Sequence, residues 1–205
     1  MSLHTPASAY AAMPHDRYFT PSRHVQPLID YARAIGLFPA DHELWECAAG
    51  AGHVALALQQ AGWRVHASDR FPPPITEQLL PVVEGDFLTS GGLSGGPFSI
   101  VTNPPYGQQS KLILAFLSHA LRLMAPRLGG IALLLPFAFD SRQSRNDLVG
   151  EHPWFCGKIT VAERIRWANL PQKQNGPNGH HAWYCWSSDS QVVRRARLMP
   201  QMVAK

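Results

Sequence analysis

The chain has 205 residues, a length that fits one domain of the larger ordinary size or one domain with a small appendage. Hydrophobic residues make up 45% of the chain and charged residues 16%, which excludes a mainly disordered or coiled-coil protein. The net charge of +4 permits an anionic partner such as a nucleic acid but does not require one.

The first half of the chain predicts alternating strands and helices after a flexible N-terminal arm at residues 1–17. Ser22 is a candidate N-cap for a helix that ends near Gly36, with Pro27 in its first turns. A glycine turn after the first strand leads into a helix at residues 54–60, and Gly62 closes that helix. Short strands are predicted at residues 44–47, at 64–68, within 81–86 and at 98–102.

The second half begins with the clearest helix, residues 110–124, whose apolar side chains recur at helical spacing. Residues 131–135 form a continuous apolar strand of the kind found in parallel sheets, and residues 141–149 predict a further helix. Two late strands at 159–167 and 181–187 flank the polar loop 168–180, and a basic tail follows at 191–205. This order predicts an α/β fold with a doubly wound sheet, mostly parallel with an antiparallel C-terminal edge strand.

Cysteine usage and hydropathy indicate where the protein works. The three widely spaced cysteines, Cys47, Cys156 and Cys185, fit a reducing compartment rather than a disulfide framework or a zinc ribbon. The histidines lack metal-ligand spacing, no apolar run is long enough for a membrane span, and the N-terminus lacks a signal-peptide pattern. We therefore expect a cytoplasmic protein without a metal site.

Polar residues follow four successive strands of the predicted sheet, namely Glu46, Asp69, Asp86 and Asn103. The carboxyl ends of parallel strands meet at one edge, so these side chains should converge on one crevice. Residues 46–52 contain only small residues after Cys47, which lets a ligand approach the backbone and the helix N-terminus that follows. Asp69, about 20 residues further on, could accept hydrogen bonds from both hydroxyls of a ribose.

Asn103, Pro104, Pro105 and Tyr106 form the most informative tetrapeptide of the chain. The two prolines remove two amide donors, so the neighbouring carbonyls are available to a ligand. The Asn103 amide oxygen and the Pro104 carbonyl can then accept hydrogen bonds from one amino group, while Tyr106 offers a ring face for stacking. The tetrapeptide therefore predicts a site for a planar amino nitrogen.

With these motifs, the chain resembles class I S-adenosylmethionine-dependent methyltransferases, in particular adenine-N6 DNA methyltransferases of small phage and prophage type. Residues 46–52 are similar to the first motif of that family and residues 103–106 to its catalytic motif. Residues 18–21 resemble the aromatic-x-Thr-Pro segment that closes over the methionine end of the cofactor. Residues 132–136, 164–167 and 181–186 resemble downstream blocks of the phage-type proteins.

The resemblance implies a Rossmann-like catalytic domain at residues 18–190, S-adenosylmethionine as cofactor and DNA as the favoured substrate. It implies that Asp69 holds the ribose and that Asp86 and Phe87 lie beside the adenine. The implied catalytic residues are Asn103, Pro104, Pro105 and Tyr106. The implied cofactor-binding residues are Tyr18, Thr20, Pro21, Glu46, Ala48, Gly50, Gly52, Asp69, Arg70, Asp86, Phe87 and Asn103.

The chain leaves little room for a target-recognition domain, since only loop 168–180, segment 71–80 and the two tails remain outside the core. A separate partner could therefore supply sequence specificity. Candidate phosphate contacts are Arg142, Arg145, Lys173 and the C-terminal arginines Arg194, Arg195 and Arg197, and the pair His180–His181 is interpreted as loop or edge. The alternatives are methylation of a glutamine amide in protein, methylation of an RNA amino group, and an inactive cofactor-binding partner subunit.

Overall fold

The computed structural model describes residues 17–107, 110–170 and 179–199. Seven strands form one sheet in the order β3-β2-β1-β4-β5-β7-β6. Their bounds are Glu43–Glu46 (β1), Val65–Asp69 (β2), Val83–Glu84 (β3), Phe98–Thr102 (β4), Gly130–Pro136 (β5), Phe155–Thr160 (β6) and His181–Ser187 (β7). The pairs from β3 through β5 are parallel, whereas β7 is antiparallel to both β5 and β6. The predicted α/β class and the antiparallel C-terminal edge are confirmed, with β7 antiparallel and β6 outermost.

Within the described ranges, four α-helices cover the sheet, namely α1 (Gln26–Ile35), α2 (His53–Gln60), α3 (Lys111–Met124) and α4 (Ser190–Leu198). Helices α1, α2 and α4 pack on one face around the strand side chains Leu44, Val101, Leu134 and Trp183. Helix α3 packs on the other face against Trp45, Ile100, Leu133 and Tyr184. Successive strand residues therefore point to opposite buried faces, which is why the central strands are apolar throughout.

Strand β6 and helix α4 differ from the sequence prediction. The strand expected at 159–167 is β6, and it ends at Thr160; the rest is a loop that turns Ile165 and Trp167 inward without strand pairing. The segment expected to be a basic tail from residue 191 begins with helix α4. This helix buries Val192, Val193 and Ala196, so its apolar side chains belong to the domain core.

Two helix predictions need correction, and one assignment lies outside the described residues. Ser22 begins a short 3₁₀ turn, Ser22–His24, whereas α1 starts at Gln26 with Pro27 in its first turn, where the missing N–H costs no hydrogen bond. The helix expected at 141–149 is a 3₁₀ segment, Gln143–Leu148. Residues 1–16 of the predicted arm lie outside the described ranges. No helix in those ranges is long and apolar enough to cross a membrane.

Candidate functional site

A cavity of about 380 Å³ lies at the carboxyl ends of β1, β2 and β4. This is the edge of the sheet at which the sequence predicted a crevice. Its wall contains most of the predicted site residues, namely Tyr18, Thr20, Glu46, Ala48, Gly50, Asp69, Arg70, Asp86, Phe87, Asn103 and Pro105. Pro21, Gly52, Pro104 and Tyr106 are not part of the wall. Several apolar and aromatic residues of the wall belong to none of the sequence motifs, among them Phe19, His53, Phe71, Leu112 and Phe116.

The glycine turn after β1 is held close to β2. The Ala49 amide donates to the Ser68 carbonyl at 3.0 Å, and the Gly50 amide donates to Asp69 Oδ2 at 2.8 Å. Gly50 has a φ of 53°, and a Cβ at this position would lie 2.8 Å from Cε1 of Phe19. Both the left-handed backbone and the covering ring therefore require glycine here.

Asp69 and Asp86 organise the backbone around the cavity. Asp69 accepts hydrogen bonds from the amides of Gly50 and Phe71, both at 2.8 Å, and carboxylate oxygens retain further lone pairs for a ligand. Asp86 accepts from the Leu88 amide at 3.0 Å, which caps the turn Phe87–Thr89. Its second oxygen lies 3.5 Å from the Arg70 guanidinium. The two carboxylates thus shape the loops that a ligand would touch.

Glu46 is a buried carboxyl group at the end of β1. Its Oε1 accepts from the Ala48 amide at 3.3 Å, whereas Oε2 has no hydrogen-bond partner among the described residues. Burial raises the pKa of Glu46 to about 8, because the charged form loses its hydration. The side chain is therefore mainly protonated at pH 7 in this structure.

Residues 17–20, here called the strap, cross over the cavity. The Arg17 guanidinium donates to the Phe71 carbonyl at 2.5 Å, and the Phe19 ring stacks on His53 with centroids 5.1 Å apart. The Asn169 amide clasps the strap from the other side, accepting from the Phe19 amide at 3.0 Å and donating to the Arg17 carbonyl at 2.9 Å. The strap is thus held by Phe71 and His53 and by the Asn169 amide.

Asn103 holds the strap by two side-chain hydrogen bonds. Its Nδ2 donates to the Tyr18 carbonyl at 3.2 Å and to Thr20 Oγ1 at 3.1 Å. A carbonyl oxygen can only accept, so the nitrogen of the amide must face Tyr18 and the oxygen must point away. That Asn103 Oδ1 is buried and has no hydrogen-bond partner among the described residues.

Tyr106 does not line the cavity and packs instead against the start of β7. Its ring stacks on His181, with centroids 6.0 Å apart, and His181 meets Trp167 edge-on at 5.3 Å. The Tyr106 hydroxyl donates to the Leu134 carbonyl at 3.4 Å. His180 is exposed and lies outside any strand, as interpreted, whereas His181 begins β7, where the strand 181–187 was predicted, and its side chain is buried. Burial lowers its pKa to about 4, so the ring is neutral.

The candidate phosphate contacts separate into different environments. Arg145 is buried, donates to the Phe139 carbonyl at 2.7 Å and packs over that ring, so its expected phosphate contact is wrong. Arg195 donates to the Ile35 carbonyl at 2.7 Å, whereas Arg142 is exposed. Lys173 lies outside the described residues. Within those residues, no group of three or more His, Cys, Asp or Glu side chains could hold a metal ion.

The fold resembles that of solved methyltransferases. No protein-family model and no curated protein matches the sequence. A protein assigned provisionally as an RNA methyltransferase, from Pyrococcus horikoshii, is 16% identical with a TM-score of 0.65, and the match covers 88% of this chain and 91% of that one. An S-adenosylmethionine-dependent methyltransferase from Anabaena variabilis is 14% identical with a TM-score of 0.53, over 83% and 88% of the two chains.

The methyltransferase subunit of a type I restriction-modification system from Streptococcus thermophilus is also similar. It is 14% identical with a TM-score of 0.54, and the match covers 83% of this chain and 44% of that larger one. At these identities the similarity establishes a shared fold, the Rossmann-like fold of S-adenosylmethionine-dependent methyltransferases.

Proposed function

We propose that the protein transfers a methyl group from S-adenosylmethionine to a planar amino nitrogen, with adenine N6 of DNA as the favoured target. The observation that carries this proposal is the Asn103 amide, whose oxygen is buried without a partner beside the cavity. A buried acceptor without a donor is costly, so a ligand N–H is the natural occupant of that position.

The cavity suits the proposed cofactor. Its volume of about 380 Å³ falls in the range of roughly 300–1,000 Å³ typical of small-molecule sites. The Asp69 carboxylate would accept from the ribose hydroxyls, and the turn after Asp86 would border the adenine. The carboxylate form of Glu46, whose Oε2 is buried without a partner among the described residues, would accept from the methionine ammonium group, and that positive charge would lower the pKa of the carboxyl on binding. When bound, S-adenosylmethionine supplies a methyl group that a sulfonium makes electrophilic.

The chain's own residues would align and polarise the target. Asn103 Oδ1 and the Pro104 carbonyl would accept hydrogen bonds from the amino group, which localises the lone pair on its nitrogen. The Tyr18 carbonyl and Thr20 Oγ1 already hold the Asn103 amide in place, so no reorientation is needed when the target arrives. Tyr106 would stack on the planar group.

Two measurements on the purified protein test the proposal. Calorimetry should detect S-adenosylmethionine binding, and labelled methyl groups should pass to DNA. Asn103→Ala should lower transfer at saturating cofactor by roughly 10²–10³-fold, as the loss of one oriented polar group does, and should weaken cofactor binding by no more than about tenfold, because it also removes two hydrogen bonds to the strap. Asn146→Ala is the matched control, because that surface amide donates to Glu151. The absence of cofactor binding to the wild-type protein would overturn the proposal.

RNA amino methylation is the second candidate, because the solved protein with the TM-score of 0.65 is the one assigned provisionally as an RNA methyltransferase. The labelled fraction separates the two candidates: label in N6-methyladenine of DNA supports the first, and label in an RNA base supports the second. Label in a protein glutamine would refute both nucleic-acid assignments.

A further inference from the structure

The proposed catalytic tetrapeptide has two sides, and the target would enter from the side of Tyr106 to bring its amino group to Asn103 at the cavity. Asn103 and Pro105 line the cavity, whereas the Tyr106 ring is stacked on His181 at the start of β7. A planar group that contacts Tyr106 therefore approaches over the carboxyl end of β5 and the adjoining ends of β7 and β6. The chemistry of that surface decides which partner it fits.

A loop at residues 161–168 runs along this surface and is anchored at both ends. The Val161 amide donates to the His181 carbonyl at 3.1 Å, and the Ala168 amide donates to the Phe19 carbonyl at 2.9 Å. Between these anchors the side chains alternate: Ile165 and Trp167 are buried, whereas Arg164 and Arg166 are exposed. The loop thus presents two arginines to solvent close to the Trp167–His181–Tyr106 ring contacts.

The turn after β5 adds an aromatic ring and a third arginine. The Phe137 amide donates to the His180 carbonyl at 2.7 Å, which places this turn beside the start of β7. The Phe137 side chain is 41% exposed, and the Lys158 ammonium lies 3.7 Å from its ring centroid. Arg142 follows in the same turn and is exposed.

The carboxylates of this surface are already engaged. Asp140 accepts from Lys158 at 2.9 Å and from the Tyr184 hydroxyl at 3.1 Å. Glu163 lies 3.5 Å from the Arg23 guanidinium. Within the described residues, no ion pair involves the exposed side chains of Arg142, Arg164 or Arg166.

We propose that this surface, the basic rim formed by Phe137, Arg142, Arg164 and Arg166, binds an unpaired strand of nucleic acid. The arginines contact its phosphates, and Phe137 stacks on a base next to the target. An unpaired strand fits because a base inside a duplex has no free face for an exposed ring. The inference rests on the proposed function, since it assigns the surface that delivers the target to Tyr106.

Fluorescence anisotropy with a labelled single-stranded oligodeoxynucleotide tests the rim without any methyl transfer. The double variant Arg164→Glu/Arg166→Glu should bind roughly tenfold or more weakly and reduce the salt slope by about 1.4, near 0.7 for each lost phosphate contact. Arg64→Glu is the matched control, because this exposed arginine immediately precedes β2, at the amino ends of the parallel strands and away from the rim. Equal losses in both variants would overturn the proposal.

Phe137→Ala separates stacking from charge. It should weaken binding of the unpaired strand roughly tenfold and leave the salt slope unchanged, because a stacked base releases no counterion. Tighter binding of the corresponding duplex than of the single strand would overturn the proposal, and so would an unaltered affinity in Phe137→Ala. Thermal melting of each variant confirms that the domain remains folded.

The same variants distinguish failure of the rim from failure of the proposed function. If the rim variants lose strand binding while the wild type binds no S-adenosylmethionine, the binding surface stands and the proposed function falls. If the wild type transfers methyl groups and the double variant transfers equally well at subsaturating substrate, the proposal that the rim binds the substrate strand is refuted. Single-stranded DNA and RNA have the same phosphate groups, so strand binding alone does not distinguish them. The nucleic acid that carries the transferred methyl label identifies the substrate.

Discussion

Glu46 makes a sharp prediction about stability, because it is a carboxyl group buried at the end of β1 with one oxygen lacking a partner. Burial raises its pKa in the folded protein to about 8, against an ordinary value of 4.5. Between these two pH values the folded protein retains a proton that the unfolded chain has released. The free energy of unfolding must therefore decrease as the pH rises through this window.

The size of the effect follows from the two pKa values. Each pH unit costs about 1.4 kcal/mol where only the folded state holds the proton, or on the order of 5 kcal/mol across the whole window. The contribution is fully present below pH 4.5 and is lost by about pH 8. Such a loss is a large fraction of the roughly 5–15 kcal/mol that stabilises an ordinary domain.

Glu46→Gln removes the titration while keeping the shape of the side chain. In urea unfolding at pH 5, 6, 7 and 8, the free energy of unfolding of the variant relative to that of the wild type should increase at each step, since a neutral amide has no charge to bury. Glu84→Gln, at an exposed position on β3, is the matched control and should follow the wild type. If the free energies of unfolding of Glu46→Gln and the wild type differ by the same amount from pH 5 to pH 8, the reasoning is refuted.

Three further predictions concern the strap, the core and the thiols. Asn169→Ala removes two hydrogen bonds to the strap, of about 1 kcal/mol each. Because the strap lines the cavity, calorimetry should find S-adenosylmethionine binding weakened roughly tenfold, and an unchanged affinity would contradict this. Gly130→Ala would make a Cβ clash with the Leu37 carbonyl and should lower the free energy of unfolding by about 1–3 kcal/mol. A Cβ at Gly85 would meet nothing within 4 Å, so Gly85→Ala is the control, and equal melting temperatures of the two variants would contradict the prediction. A thiol reagent at pH 8 should label the native protein slowly and the denatured protein at all three cysteines, because burial raises the pKa of Cys47, Cys156 and Cys185.

Local sequence signals predicted the parts of the fold that depend on neighbouring residues. The apolar run between a glycine-rich loop and Asn103 predicted β4 with its bounds, Phe98–Thr102, because a strand buried on both faces needs continuous apolar residues. The order of Glu46, Asp69 and Asn103 predicted one crevice, and all three line the cavity. Strand polarity alone sufficed for this inference.

Features set by distant contacts could not be predicted from the sequence. Asn169 and Phe19 are 150 residues apart, and no local pattern indicates that one clasps the other. Alternation in residues 159–167 resembled a strand, but in the structure the apolar members after Thr160 contact the core from an unpaired loop. The arginines of α4 made this segment look like a basic tail, because its apolar stripe is short. The stripe is recognised only from the packing of α4 on β6 and β7.

The insertion of β7 between β5 and β6 constrains how the protein is synthesised and folds. When residue 160 leaves the ribosome, β5 and β6 exist as sequence, but the strand that joins them has not been made. Until His181–Ser187 follow, the edge of β5 stays open and the core lacks Trp183, Tyr184 and Trp186. The sheet can therefore be completed only after residue 187 has been made, and a chain truncated before residue 181 should be prone to aggregation through that edge.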